Sequence, residues 1–220
     1  MQGTLVHLSD IQIRTKRGEE LFSGLNFTLL AERSAVIIGG AGSGKTTITE
    51  LLIGMQRPIS GTIELFGEQF QQPSRRQIRR IRRKIGGVGG PFGLVPSLTV
   101  AENIQMPLII AGERIEHQKE RMLKLLGEFS LLNHAVQYPA SLTRVEHMLV
   151  QIARASIAYQ PLMIIDEPSA GLDSRTYARV FDHLIQASRS GRSLIILTSE
   201  KPPMEIPNCD HYTIEKGMLV

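Results

Sequence analysis

Three stretches of the chain are apolar almost without interruption: SAVIIG (34–39), LMIID (162–166) and SLIILT (193–198). Each is too short for a core helix and rich in Ile, Val and Leu, which predicts strands buried on both faces. Residues 4–13 and 25–30 instead alternate in part, as strands of an antiparallel edge layer do, and GTIELFG (61–67) predicts another edge strand between glycine turns. Helical spacing predicts a helix over 46–53, a mostly helical region over 99–159 that includes ERIEHQKERMLKLLGEF, and a helix over 174–190. TIEKGMLV closes the chain as a hairpin. Strand and helix alternate around a helical insertion, so the expected fold is α/β with a mainly parallel core sheet, an antiparallel β edge layer and a helical subdomain at roughly 92–158. With no internal repeat or linker, residues 1–220 are expected to form a single domain.

Composition narrows this picture. A single cysteine, Cys209, excludes an internal disulfide framework, and the opening MQGTLVHLSD has neither a basic region nor a long apolar run. The longest apolar runs, MPLIIAG and PLMII, fall far short of the roughly 20 residues of a spanning helix. A cytosolic chain is expected, with any membrane role borrowed from a partner. The net charge of +4 is local, because Arg75–Lys84 (RRQIRRIRRK) carries seven basic residues in ten while the remainder is slightly acidic. No nucleic-acid partner is therefore expected. Ile78, Ile81 and Ile85 recur at helical spacing, predicting a short helix with one buried stripe and a basic face. Such a face is either merely solvated or drawn to anionic headgroups or an acidic partner, at about 1 kcal/mol per basic residue near a charged bilayer.

The candidate chemistry begins after the first buried strand. Gly39, Gly44, Lys45 and Thr46 fill the pattern G-x-x-x-x-G-K-[ST] between a strand and a helix, with Gly40, Ala41, Gly42, Ser43 and Thr47 completing the loop. Glycines let backbone N–H groups, here those of Gly42 to Thr47, wrap phosphate oxygens at a helix N-terminus. Lys45 is expected to bridge the β- and γ-phosphates of ATP, and Thr46 to ligate Mg²⁺. In LMIIDEPSAGLD, Asp166 ends a buried strand, suited to holding the Mg²⁺ hydration shell, and Glu167 is suited to orient or deprotonate an attacking water. An isolated Asp-Glu pair carries little weight, but after such a loop it reads as catalytic. The SAGLD turn is expected to put Asp173 at a surface shared with another copy or a partner.

On these motifs the chain resembles the ATP-binding cassette (ABC) ATPases from end to end. QIARA (151–155) matches the end of the helix after that family's signature. IRRKIGGVGGPFGLVPSLTVAENIQMPLIIAG is most similar to the subgroup that serves cell-division, lipoprotein-release and macrolide-export permeases. The resemblance implies a head-to-tail sandwich with a second ABC ATPase chain, identical or not, ATP held between one glycine loop and the other chain's signature, and membrane-spanning permease subunits as partners. It also implies a cytoplasmic location, peripheral at the inner face of the membrane. DNA-repair relatives, by contrast, carry a long coiled-coil or zinc insertion for which the span between loop and Asp166 leaves no room.

Several family positions are altered. LSGGE or LSGGQ is replaced by Leu142-Thr143-Arg144-Val145-Glu146, so Arg144 and Val145 obstruct a phosphate that would dock on bare glycine backbone, unless Arg144 contributes its charge instead. The glutamine that touches Mg²⁺ and the attacking water aligns with Gly90, and the switch histidine with Ser199. The adenine-stacking aromatic has no counterpart in IQIRTKRGEE, where Arg14 is the remaining candidate to lie over the base. Losing one positioned transition-state contact typically costs on the order of 10²–10³ in rate. Slow ATP hydrolysis is therefore expected, or else a quiet nucleotide-binding subunit completed by a partner ATPase; Glu167 argues for the former.

Overall fold

The computed structural model of the chain describes residues 3–15, 17–70, 73–169 and 171–220. Lys16 and Ala170, which belong to two of the stretches read above, lie outside the described residues. Two sheets form. Strands β1 (Thr4–Arg14), β2 (Glu20–Leu30), β4 (Ser60–Leu65) and β5 (Glu68–Gln69) make an antiparallel sheet in the order β2-β1-β4-β5. Strands β3 (Ser34–Ile38), β6 (Ile85–Val88), β7 (Leu162–Asp166), β8 (Ser193–Thr198), β9 (Cys209–Glu215) and β10 (Met218–Leu219) make the second, ordered β10-β9-β3-β8-β7-β6. All its pairings are parallel except the closing β9-β10 hairpin.

The three apolar runs become β3, β7 and β8, side by side at the centre of the second sheet. Period-two alternation explains why they tolerate no polar face. Leu162, Ile164, Ile195, Leu197, Ala35 and Ile37 point to one core, shared with the antiparallel sheet and helix α1 (Lys45–Leu52). Met163, Ile165, Leu194, Ile196 and Val36 point to the other. That second core is covered by α3 (Val100–Ala111), α4 (Ile115–Glu128), α5 (Arg144–Ser156) and α6 (Ser174–Arg189).

Some expectations need correcting. The GTIEL of GTIELFG lies in β4, an inner strand with β1 on one side and β5 on the other, because the two-residue β5, reached through the Phe66–Gly67 turn, takes the edge. Strand β2 starts at Glu20, five residues before the run that suggested it, since β1 supplies partners as far as Arg14. The basic helix α2 (Arg75–Arg82) stops before Ile85, which opens β6; only Ile81 of its stripe is fully buried, with Ile78 packed beside it. Helices α2, α3 and α5 each start on a capping box, Ser74/Gln77, Thr99/Glu102 and Thr143/Glu146. In each, hydroxyl and carboxyl or amide side chains satisfy first-turn N–H groups.

Candidate functional site

The glycine loop leaves β3 at its C-terminal end, between the neighbouring strands β8 and β9, and enters α1 at Gly44. Gly44 has φ +105°, and an added Cβ would stand 2.4 Å from the Phe22 ring, so the turn and the packing both demand glycine there. No side chain among the described residues caps α1, which leaves first-turn amides to an outside acceptor. One amide of the expected set is already committed: Ser43 N–H donates to Gly40 O at 3.2 Å. A cleft of about 380 Å³ follows this loop, lined by Ala41, Gly42, Gly44 to Thr47, Thr15, Leu21 and Glu167. Leu21 escaped the sequence reading; of the stretch aligned with the adenine-stacking position it is Thr15 that lines the cleft, whereas Arg14 is exposed on β1 and does not.

Lys45 is buried, and its Nζ donates to Gly39 O (2.5 Å) and Gly40 O (2.8 Å) and lies 3.1 Å from Glu167 Oε1. Thr46 Oγ1 donates to Asp166 Oδ2 at 2.8 Å across 120 residues of sequence. Four residues of the two motifs thus converge. Asp166 is almost fully buried, and its Oδ1 has no hydrogen-bond partner among the described residues. Burial, together with the neighbouring Glu167 charge, pushes the Asp166 carboxyl above its ordinary pKa, against the opposing Thr46 bond and Lys45 charge. A hard dication suits this pair: one hydroxyl and one carboxylate with a spare oxygen are the protein donors that Mg²⁺ takes beside phosphate. Thr46 and Asp166 are the residues that would hold it.

Glu167 leaves β7 with φ +56°, a conformation rare outside glycine, while its N–H still donates to Leu197 O of β8 at 2.8 Å. Its carboxylate accepts from Ser199 twice, from Oγ at 2.6 Å and from N–H at 3.2 Å. The residue aligned with the family's switch histidine therefore holds the candidate base directly. Gly90 lies against the same carboxylate cluster: with φ +42°, an added Cβ would come within 2.4 Å of Asp166 Oδ2, and one on Gly89 within 1.9 Å of Asp166 O. The GGVGG run thus lets backbone approach Asp166 where side chains cannot.

The altered signature behaves mainly as a helix start. Thr143 is the N-cap of α5; its Oγ1 accepts Glu146 N–H, and Glu146 accepts Thr143 N–H in return. The Thr143 backbone N–H first, and its hydroxyl second, hold the Glu146 carboxyl below its usual range. Arg144 is exposed, yet its side chain lies along Gly171 of the same chain, where an added Cβ would meet Arg144 Cδ at 2.7 Å. Val145 is half-buried. Asp173 is the N-cap of α6, its carboxylate accepting from the N–H groups of Arg175 and Thr176 and from Thr176 Oγ1. A second cleft, of about 540 Å³, joins Gly89, Gly90, Asp166 and Glu167 to Leu142, Arg144, His147, Met148 and Gln151 of the signature and α5. His147 and Gln151 are site residues that the sequence reading passed over.

Comparison with known proteins identifies the family and the fold. The family model described as ABC transporter matches residues 22–170. The lipoprotein-releasing system ATP-binding protein LolD of Aquifex aeolicus is 32% identical over 201 residues, covering 90% of this chain and 88% of that protein. The cell division ATP-binding protein FtsE of Haemophilus influenzae is 32% identical over 177 residues, 80% and 81% of the two chains. A solved dimer of the ATP-binding cassette MJ0796, in a post-hydrolysis state bound to ADP and Pi, superposes with a TM-score of 0.85 at 25% identity. That likeness covers 98% of this chain and 96% of that one. The α/β core with its antiparallel β layer is the architecture of those cassettes, and two of the subgroups resembled are among these relatives. The chain belongs to the ABC transporter family, whose members are P-loop ATP hydrolases.

Proposed function

We propose that this chain binds Mg-ATP in the cleft along Gly39–Thr47 and hydrolyses it slowly as the ATP-binding subunit of a membrane transport or mechanotransmission complex. The observation that carries the reading is the convergence of two segments 120 residues apart: Lys45, Thr46 and Glu167 line one cleft, with Lys45 beside Glu167 and Thr46 bonded to Asp166. Lys45 exchanges the Gly39 and Gly40 carbonyls for phosphate oxygens. Thr46 and Asp166 hold Mg²⁺, which when bound neutralises charge on the phosphates. Glu167, steadied by Ser199, orients a water and accepts its proton. Gly90 provides no side chain for that water, which underlies the slow turnover.

The partners proposed are a second ABC ATPase chain, with Asp173 near the shared face, and permease subunits. No described helix is long and apolar enough to cross a membrane, so the membrane role falls to those subunits, with this chain peripheral at the cytoplasmic face. A groove of about 560 Å³ beside α2 and α3 supports docking: Arg79, Arg82 and Arg83 line it together with Phe92, Met106 and Ile110. Apolar and acidic side chains of a permease loop fit that lining.

The test is ATP and GTP binding and phosphate release with Mg²⁺, in wild type, Lys45→Ala and Glu167→Gln. Wild type is expected to bind ATP and release phosphate slowly, Lys45→Ala to lose binding, and Glu167→Gln to bind without release. Binding with no release in wild type and Glu167→Gln alike would replace hydrolysis by the second reading, a nucleotide-holding subunit, which Gly90 and Arg144 favour.

A further inference from the structure

Gln151 is 6% exposed, and both ends of its carboxamide are engaged. Its Oε1 accepts the Gly89 N–H at 2.7 Å, and its Nε2 lies 3.1 Å from His147 Nδ1. The chain of donors leaves one assignment. A backbone N–H can only donate, so Gly89 fixes which end of the amide is oxygen; the amide nitrogen can only donate, so His147 Nδ1 must be the acceptor. The neutral ring then carries its proton on Nε2. Burial, with the Arg154 charge second, holds the His147 imidazole below its ordinary pKa, in keeping with a neutral ring. One turn further along α5, Arg154 donates to the carbonyls of Phe92 and Gly93, so the helix grips the 89–93 loop at two points.

His147 half-emerges into the cleft that Asp166 and Glu167 also line, and Glu167 is common to that cleft and the glycine-loop cleft. We propose that His147, set by Gln151, is a hydrogen-bond donor to the terminal phosphate from the α5 side, a polar contact that neither Gly90 nor Ser199 provides. Ser199 is spent on Glu167, and Gly90 has no side chain to offer. Gln151 is the positioning residue: it fixes the tautomer and ring plane of His147 and anchors Gly89 against Asp166. The inference rests on the nucleotide reading above.

Two measurements test it without turnover. In the first, affinities for ADP and a non-hydrolysable ATP analogue, with Mg²⁺, are compared in wild type, His147→Ala and Gln151→Leu, each checked for folding by thermal melting. Both variants are expected to lose about 10–100-fold in analogue affinity, as one hydrogen bond to a charged group implies, and less than twofold for ADP. In the second, ¹⁵N spectra of the wild-type imidazoles are expected to show His147 as the Nε2–H tautomer and to shift its Nε2 signal with the analogue more than with ADP. An unchanged analogue-to-ADP ratio in folded variants, or equal ring shifts with both ligands, would overturn the proposal and leave the pair a loop clamp. Wild type that binds neither ligand would overturn the nucleotide reading, and this inference with it.

Discussion

At the scale of single residues, the acidic pair and the loop lysine were legible because their chemistry is local: a strand end, a glycine turn and a helix start are all adjacent in sequence. What replaces a missing side chain was not, since Gln151 reaches Gly89 across 62 residues and only the fold brings them together. Gly90 shows the limit from the other side. Alignment reads it as a lost glutamine, whereas the structure shows backbone pressed on Asp166. Gly90→Gln is accordingly expected to destabilise the chain by about 1–3 kcal/mol through its left-handed φ and the crowding at Asp166, visible as a melting temperature lowered by several degrees. Phosphate release should not rise. A variant that melts like wild type and turns over faster would show that the loop has room for the family side chain.

At the scale of elements, uninterrupted apolar runs gave away β3, β7 and β8, and the helix order followed; strand β5 and the true extent of β2 did not, because their residues find partners only once β1 and β4 are in place. Helix α6 carries a pH-sensitive contact. His183 is tucked edge-on to Phe129 at 4.8 Å between ring centres, with Nε2 2.8 Å from Ser156 Oγ, and burial, aided by the Arg192 charge, pushes its pKa down to about 4. The folded state thus favours the neutral ring, so this contribution is intact above the unfolded value near 6.5 and is lost as pH falls towards 4. The loss amounts to at most about 3 kcal/mol. Urea unfolding of His183→Gln between pH 7.5 and 4.5 should show a shallower acid slope than wild type. Parallel slopes would exclude His183 as the cause.

At the scale of the whole molecule, the α/β arrangement was legible from the order of its elements, while the clefts on either side of α5 were not, being made by surfaces distant in sequence. The start of α5, with Arg144 laid on Gly171 and Val145 beside it, offers side chains where a partner's phosphate would need bare backbone. We expect Glu167→Gln with ATP to remain monomeric alone in light scattering and to dimerise with an ABC ATPase chain whose signature retains both glycines. A stable ATP-bound homodimer with two equivalent sites would end that expectation. Helix α5 also has one further property. Gln151 faces the carboxylate cleft, and Arg154, a single turn away, lines the arginine-rich groove while holding Phe92 and Gly93. The two openings therefore share one lever. Thermodynamic reciprocity then makes the traffic two-way: any free energy by which a guest in the groove tightens nucleotide binding is returned in full, as a tighter hold on that guest whenever nucleotide is present.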